Sequence, residues 1–139
     1  MNKLKLFYSY LTGHKRQVTA AVIEKDGKIL IAQRRKGSTL GGRWEFPGGK
    51  IEPGETAEEC LKRELKEEFD IESEAVDFLI ASRFRYCLVP IELLAYRVKH
   101  LSGEFKVNEH DQIRWVTPSE LNSYDFMPAD KPIVELLRE

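Results

Sequence analysis

Two apolar runs of strand length, residues 18–24 and 28–33, flank Lys25-Asp26-Gly27 near the start of the chain. An Asp-Gly pair between such runs marks a hairpin, because a tight turn needs residues that tolerate positive φ. Residues 34–43 carry glycines and basic side chains and read as a loop. Trp44-Glu45-Phe46 then forms a short strand running into a turn at Gly48-Gly49. Residues 56–69 switch to a helical period, with Thr56 placed to cap the N-terminus and Glu59 to complete a capping box. Apolar and aromatic residues return in strand-like stretches at 78–88 and 91–100, interrupted by Pro90, and again at 112–116. A helical turn at 118–121 and a helix over 131–137 complete the pattern. Residues 1–16 mix aromatic and basic side chains and fit either an edge strand or a loose arm. Strands and helices in this order, without regular alternation, predict an α+β or mixed-sheet α/β sandwich in one domain spanning 1–139.

At about 100° per residue, the 56–69 helix gathers Ala57, Cys60, Leu61 and Leu65 over roughly 140° of its surface, an ordinary buried stripe. Glu59, Lys62, Lys66 and Asp70 lie opposite. Glu64, Glu67 and Glu68 do not join them, and project within about 80° of Ala57, among the apolar positions. Carboxylates at the rim of a packed face repel one another and lose hydration. A bound cation removes both penalties, and hard ions such as Mg²⁺ or Mn²⁺ take oxygen ligands of this kind. The plainer alternative is a solvated acidic face paired with lysines, but Lys62 and Lys66 point the wrong way to serve it. Arg63, beside the acidic edge, is placed to orient a glutamate through a bidentate hydrogen bond, or is a surface arginine.

A chain of 139 residues can bury a core of its own. Its formal net charge of -1 leaves no basic excess for a polyanion such as DNA. A phosphate target is therefore a small, metal-chelated one. Cys60 and Cys87 have neither metal-ligand spacing nor a disulfide framework around them, and Cys60, among apolar neighbours, is expected as a buried free thiol. The apolar patch at residues 4–11 is too short and too polar for a signal peptide or membrane span, so a cytoplasmic location follows.

The spacing of the charged residues also resembles a family pattern. Gly49, five residues, Glu55, seven residues, then Arg63-Glu64-Leu65-Lys66-Glu67-Glu68 is similar to the Nudix box, G-x5-E-x7-R-E-U-x-E-E-x-G-U with U aliphatic. Leu65 and Ile71 fill the aliphatic places. Asp70 stands where the pattern has its late glycine, and Asp tolerates the left-handed conformation that closes a helix better than most residues do. The resemblance implies a Nudix fold, a mixed β-sheet sandwiched between helices. It also implies Mg²⁺-dependent hydrolysis, with Mn²⁺ a possible substitute, of a nucleoside diphosphate linked to another moiety. On the same resemblance Glu64, Glu67 and Glu68 are metal ligands, the carbonyl of Gly48 adds another, and Glu55 and Arg63 support the site.

Outside the box, the resemblance extends to the family's MutT-like branch, which converts (deoxy)nucleoside triphosphates to monophosphates and pyrophosphate. Residues 44–52 are similar to that branch's approach to the box. Asn108-Glu109-His110, shortly before Arg114-Trp115-Val116, resembles a loop supplying a further metal-binding or general-base glutamate, here Glu109. Residues 126–132 resemble a base-reading element, with Asp130 at the reading position or serving as the N-cap of the last helix. An ionised Asp130 only accepts hydrogen bonds and so favours donors such as the amino group of cytosine or the N–H groups of an oxidised guanine. One of Arg34 and Arg35 contacts the triphosphate, the other being surface charge. Either Tyr86 or Phe84 stacks on the base, or both belong to the core. The expected substrate is a small nucleotide, 8-oxo-dGTP or a CTP-like triphosphate, and the expected assembly a monomer or homodimer. The competing readings are a Nudix hydrolase of ADP-ribose, dinucleoside polyphosphates or nucleotide sugars, and a non-catalytic nucleotide-binding Nudix module.

Overall fold

β1 (Arg16–Lys25) is buried from Thr19 to Ile23 without interruption, which a strand achieves only inside a sheet covered on both faces. The computed structural model describes residues 16–86 and 88–139. Asp26 and Gly27 turn the chain at positive φ, 54° and 76°, into β2 (Lys28–Arg34). After the hairpin end, β2 runs between β3 (Trp44–Glu45) and β6 (His110–Val116), antiparallel to both. On its other side β1 pairs in parallel with β5 (Val89–Ser102), whose outer neighbour is antiparallel β4 (Glu72–Tyr86). The sheet is mixed, ordered β3-β2-β1-β5-β4, with β6 joined to β2.

Successive side chains of a strand point to opposite faces, and each face has its own helical cover. Ala21, Ile23, Leu30 and Ala32 pack against Leu61, Leu65 and Phe69 of α1 (Ala57–Phe69). Their neighbours Ala20, Val22, Ile29 and Ile31 pack with Leu121, Ile133 and Val134, contributed by a 3-10 segment (Pro118–Ser123) and by α2 (Lys131–Leu137). The expected sandwich, a mixed sheet between helices, is what forms. No helix among the described residues is long and apolar enough to cross a membrane.

α1 begins and ends as the sequence predicts. The Glu59 N–H donates to Thr56 Oγ1 (3.1 Å) and the Thr56 N–H to Glu59 Oε1 (3.0 Å), which closes the capping box. Asp70 ends the helix in the left-handed region, φ 58°, ψ 37°. Several strand boundaries differ from expectation. β4 starts at Glu72 rather than 78, because Glu72–Asp77 lies on an edge and needs no apolar face. β5 takes in Pro90 as its second residue, where a missing N–H is tolerated. β6 starts two residues early, at His110. Arg16 belongs to β1; the reading of residues 1–15, and that of Cys87, lie outside the described residues.

Candidate active site

The loop before α1 is stitched onto the central strand. The Ala21 N–H donates to the Pro47 carbonyl (2.7 Å), Thr19 N–H to Gly49 O (2.7 Å) and Ile51 N–H to Gln17 O (3.0 Å). Gly48 and Gly49 have no room for side chains: a Cβ on Gly48 would strike the Thr19 carbonyl, and one on Gly49 the Glu64 carboxylate. The chain then reverses at Glu52-Pro53-Gly54, with Gly54 at φ 78° and the Glu55 N–H on the Glu52 carbonyl (3.0 Å). That turn carries Glu55 back to α1.

Arg63 gathers the acidic side chains. Its Nε and Nη2 hold Glu55 bidentately (2.7 and 2.9 Å), Nη2 also donates to the Lys50 carbonyl (3.1 Å), and Nη1 donates to Glu64 Oε1 (2.9 Å). Glu67 and Glu52 complete the ring at 3.7 and 3.8 Å. Of the two readings of Arg63, the bidentate one is realised. The guanidinium pulls the Glu55 carboxyl down to about 2, against its burial. Glu64 is shifted the other way, chiefly by burial and with the charges of Glu67 and Glu109 adding to it. Cys60 lies beneath the loop as a buried free thiol pushed up to about 11 by burial.

The helix places its glutamates unequally. Glu67 is half exposed, whereas Glu68 is 3% exposed and its Oε2 has no hydrogen-bond partner. Burial, with Glu64, Glu45, Glu109 and Glu67 nearby, raises the Glu68 carboxyl well above its ordinary range. Glu109 reaches this group because its loop caps the C-terminus of α1. A helix leaves its last carbonyls unpaired; here Glu67 O receives Asn108 Nδ2 (3.2 Å), Glu68 O the Asn108 N–H (3.1 Å) and Phe69 O the Lys106 N–H (2.9 Å). An Arg35 guanidinium N–H also donates to the Asn108 carbonyl, so Arg35 secures this loop.

Arg34, rather than Arg35, lines a cleft of about 300 Å³ that borders the acidic group through Gly49 and Glu45. Its Nη1 donates to Glu45 Oε1 (3.0 Å) and its Nε to the Thr39 carbonyl (2.9 Å). Gly48, Lys50, Phe84 and Asp130 line the same cleft, and Tyr86 an adjoining recess with Phe84 and Met127. Asp130 arrives there because Trp44 pairs with residues 125–127, its N–H on Asp125 O and its carbonyl taking the Met127 N–H (2.9 Å each). Two expectations for Asp130 are corrected. Its side chain caps nothing; Oδ2 instead accepts the Phe46 N–H (3.1 Å). Nor does the site favour the ionised form, since burial and then the Glu45 charge push the carboxyl well above its ordinary range. A neutral Asp130 donates as well as accepts.

Glu45 and His110 were not singled out as ligating residues in the sequence. The signal was the alternation in Trp44-Glu45-Phe46: Trp44 and Phe46 join the α2-side core, so Glu45 faces the other way, toward α1.

This geometry coincides with a known family. The NUDIX domain model matches residues 13–137, and the chain belongs to the Nudix family of hydrolases. It is 40% identical to the CTP pyrophosphohydrolase of Escherichia coli K12 over 119 residues, covering 86% of this chain and 88% of that protein. It is 39% identical to the putative 8-oxo-dGTP diphosphatase 2 of Mycobacterium tuberculosis over 117 residues, 82% of each. Among solved structures, the E. coli ORF135 protein superposes with a TM-score of 0.81 at 39% identity, over 88% of this chain and 87% of that one.

Proposed function

We propose that this chain is a Mg²⁺-dependent nucleoside triphosphate pyrophosphohydrolase that converts 8-oxo-dGTP, CTP or dCTP to the monophosphate and pyrophosphate. The observation that carries the reading is Glu68: a carboxyl 3% exposed, with Oε2 unpaired, inside a group of acidic side chains bordering a cleft. A buried carboxyl in that state is costly unless a cation meets it. The relatives named for CTP and 8-oxo-dGTP support the substrate class.

Glu64, Glu67, Glu68 and Glu109, with the Gly48 carbonyl, would hold the ion. A divalent ion so held offsets phosphate charge and lowers the pKa of a bound water. The protein's part is to position and to move a proton. Arg63 fixes Glu64 by a charge-assisted bond, so the carboxylate cannot swing away. Arg34 and Lys50 supply positive charge to the cleft that receives the phosphates. Glu109, exposed at the rim, takes the proton of the attacking water and returns it to solvent. The water oxygen bonds to phosphorus as the bridging P–O bond between the α- and β-phosphates breaks, which gives the monophosphate and pyrophosphate. Phe84 or Tyr86 offers a face for the base, and the Phe46–Asp130 pair reads its edge.

The test is turnover with Mg²⁺ on CTP, dCTP, 8-oxo-dGTP and ADP-ribose, with the products identified. Pyrophosphate from a triphosphate is the expected result, lost in Glu67→Gln while the fold persists. ADP-ribose cleavage without any triphosphate turnover would overturn the substrate class, and unchanged turnover in Glu67→Gln the metal assignment.

A further inference from the structure

We infer that Glu45, Glu68 and His110 form a cation site of their own, one that takes a first-row divalent ion accepting an imidazole nitrogen beside carboxylate oxygens. It shares Glu68 with the acidic helix and does not depend on which substrate the enzyme cleaves.

β2 brings the three together. Glu45 lies opposite Ala32 in β3, and His110 opposite Arg34 in β6. Cross-strand partners share a face, and Ala32 faces the α1 side of the sheet. Glu45 therefore comes under α1, where Glu68 descends, and His110, paired beyond a register shift between Gln33 and Arg34, is placed on the same side by its contact with Phe69. His110 is wedged there with its ring stacked on Phe69, centroids 5.7 Å apart and planes 7° from parallel.

His110 Nε2 is 2.9 Å from Glu45 Oε2 and 3.7 Å from Glu68 Oε1. One oxygen of each carboxylate and one ring nitrogen all lie within 4.8 Å of one another. An ion with bonds of about 2.1 Å holds adjacent ligands about 3.0 Å apart in an octahedron and about 3.4 Å apart in a tetrahedron. The two contacts of Nε2 bracket those separations.

Hydrogen bonding alone does not satisfy the group. A hydrogen on Nε2 can serve Glu45 only, since at 3.7 Å the Glu68 carboxylate is beyond its reach. Glu68 Oε2 has no partner at all, although Glu68 is 3% and His110 7% exposed. The His110 Nδ1 atom is also without a hydrogen-bond partner. A cation uses the lone pair of Nε2 and one from each carboxylate together. The nitrogen sets this position apart from the all-oxygen set of Glu64, Glu67 and Glu109. Mg²⁺ prefers oxygen, whereas Mn²⁺, Co²⁺ and Zn²⁺ accept mixed nitrogen and oxygen ligands.

The experiment is Mn²⁺ binding to tag-free protein without nucleotide, followed by electron paramagnetic resonance. Spin-echo modulation from ¹⁴N is expected in the wild type, with one more Mn²⁺ bound per chain than in His110→Gln, in which the modulation disappears. Glu45→Gln, with the imidazole retained, should weaken that Mn²⁺ at least 10-fold. Glu67→Gln should keep the nitrogen signal, which separates this site from the one proposed for turnover. Absence of ¹⁴N modulation in the Mn²⁺-saturated wild type means a hydrogen-bonded Glu45–His110 pair only and overturns the site. So does modulation that persists unchanged in His110→Gln.

Discussion

At the scale of single residues, the site sets carboxyl groups against one another by environment. Glu55, with two Arg63 nitrogens on it, is held down to about 2, whereas buried Asp130 is pushed up. The two must therefore respond to pH in opposite senses. A depressed carboxyl stabilises the fold fully above its unfolded pKa, near 4.5, and loses that contribution as pH falls toward about 2. The stability deficit of Glu55→Gln should thus be complete at pH 6 and narrow by pH 3, read from urea midpoints; a deficit independent of pH would mean that Arg63 does not discriminate the ionised form. A raised carboxyl is neutral in both states below its unfolded pKa, and above it the unfolded chain ionises first, so stability falls as pH rises. In ligand-free protein, Asp130→Asn should match the wild type near pH 4 and exceed it increasingly toward pH 8. Asn retains an acceptor for the Phe46 N–H, so a variant weaker at every pH would show that Asp130 is ionised in the native state.

At the scale of elements, α1 supplies most of the candidate ligands, and its two ends fix where they point. Its start and stop were legible, because capping and the left-handed close are local chemistry carried by Thr56, Glu59 and Asp70. Asp70 adopts φ 58° at some strain, and Lys66 and Lys106 approach its carboxylate at 3.2 and 3.4 Å. Such exposed pairs contribute little, so backbone strain should dominate: Asp70→Gly is expected to be more stable than Asp70→Ala by about 1 kcal/mol in urea unfolding. Equal stabilities would put the weight on the ion pairs instead. The loop at 106–109 was harder to read. Its resemblance to a family element pointed to Glu109, but its attachment to the carbonyls of Glu67, Glu68 and Phe69 is a tertiary fact with no local sequence signal. The same holds for Arg35: the pair Arg34-Arg35 was visible as charge, yet only the packing of β2 against β6 divides their tasks between cleft and loop.

At the scale of the molecule, the sandwich followed from the order of strands and helices along the chain, and β1, buried on both faces, takes the two covering layers that form. What stayed hidden was whatever required knowing which strands flank β2. Glu45 and His110 are 65 residues apart and meet only because β3 and β6 share that strand. The result is a chain of net charge -1 in which Glu45, Glu64, Glu67, Glu68 and Glu109 gather beside one cleft. Folding must bring these groups together against their mutual repulsion, so an ion that binds them should stabilise the whole domain by mass action. At a free concentration 100 times its dissociation constant, Mg²⁺ contributes about 2.7 kcal/mol. For a chain of this length that is a rise in Tm on the order of 8 °C. NaCl at equal ionic strength should give a far smaller rise, because screening acts weakly on buried charge. Glu64→Gln should lose most of the Mg²⁺ response while unfolding cooperatively. An equal response to NaCl and Mg²⁺ in thermal melts would mean that general screening, not a coordinated ion, relieves the acidic cluster.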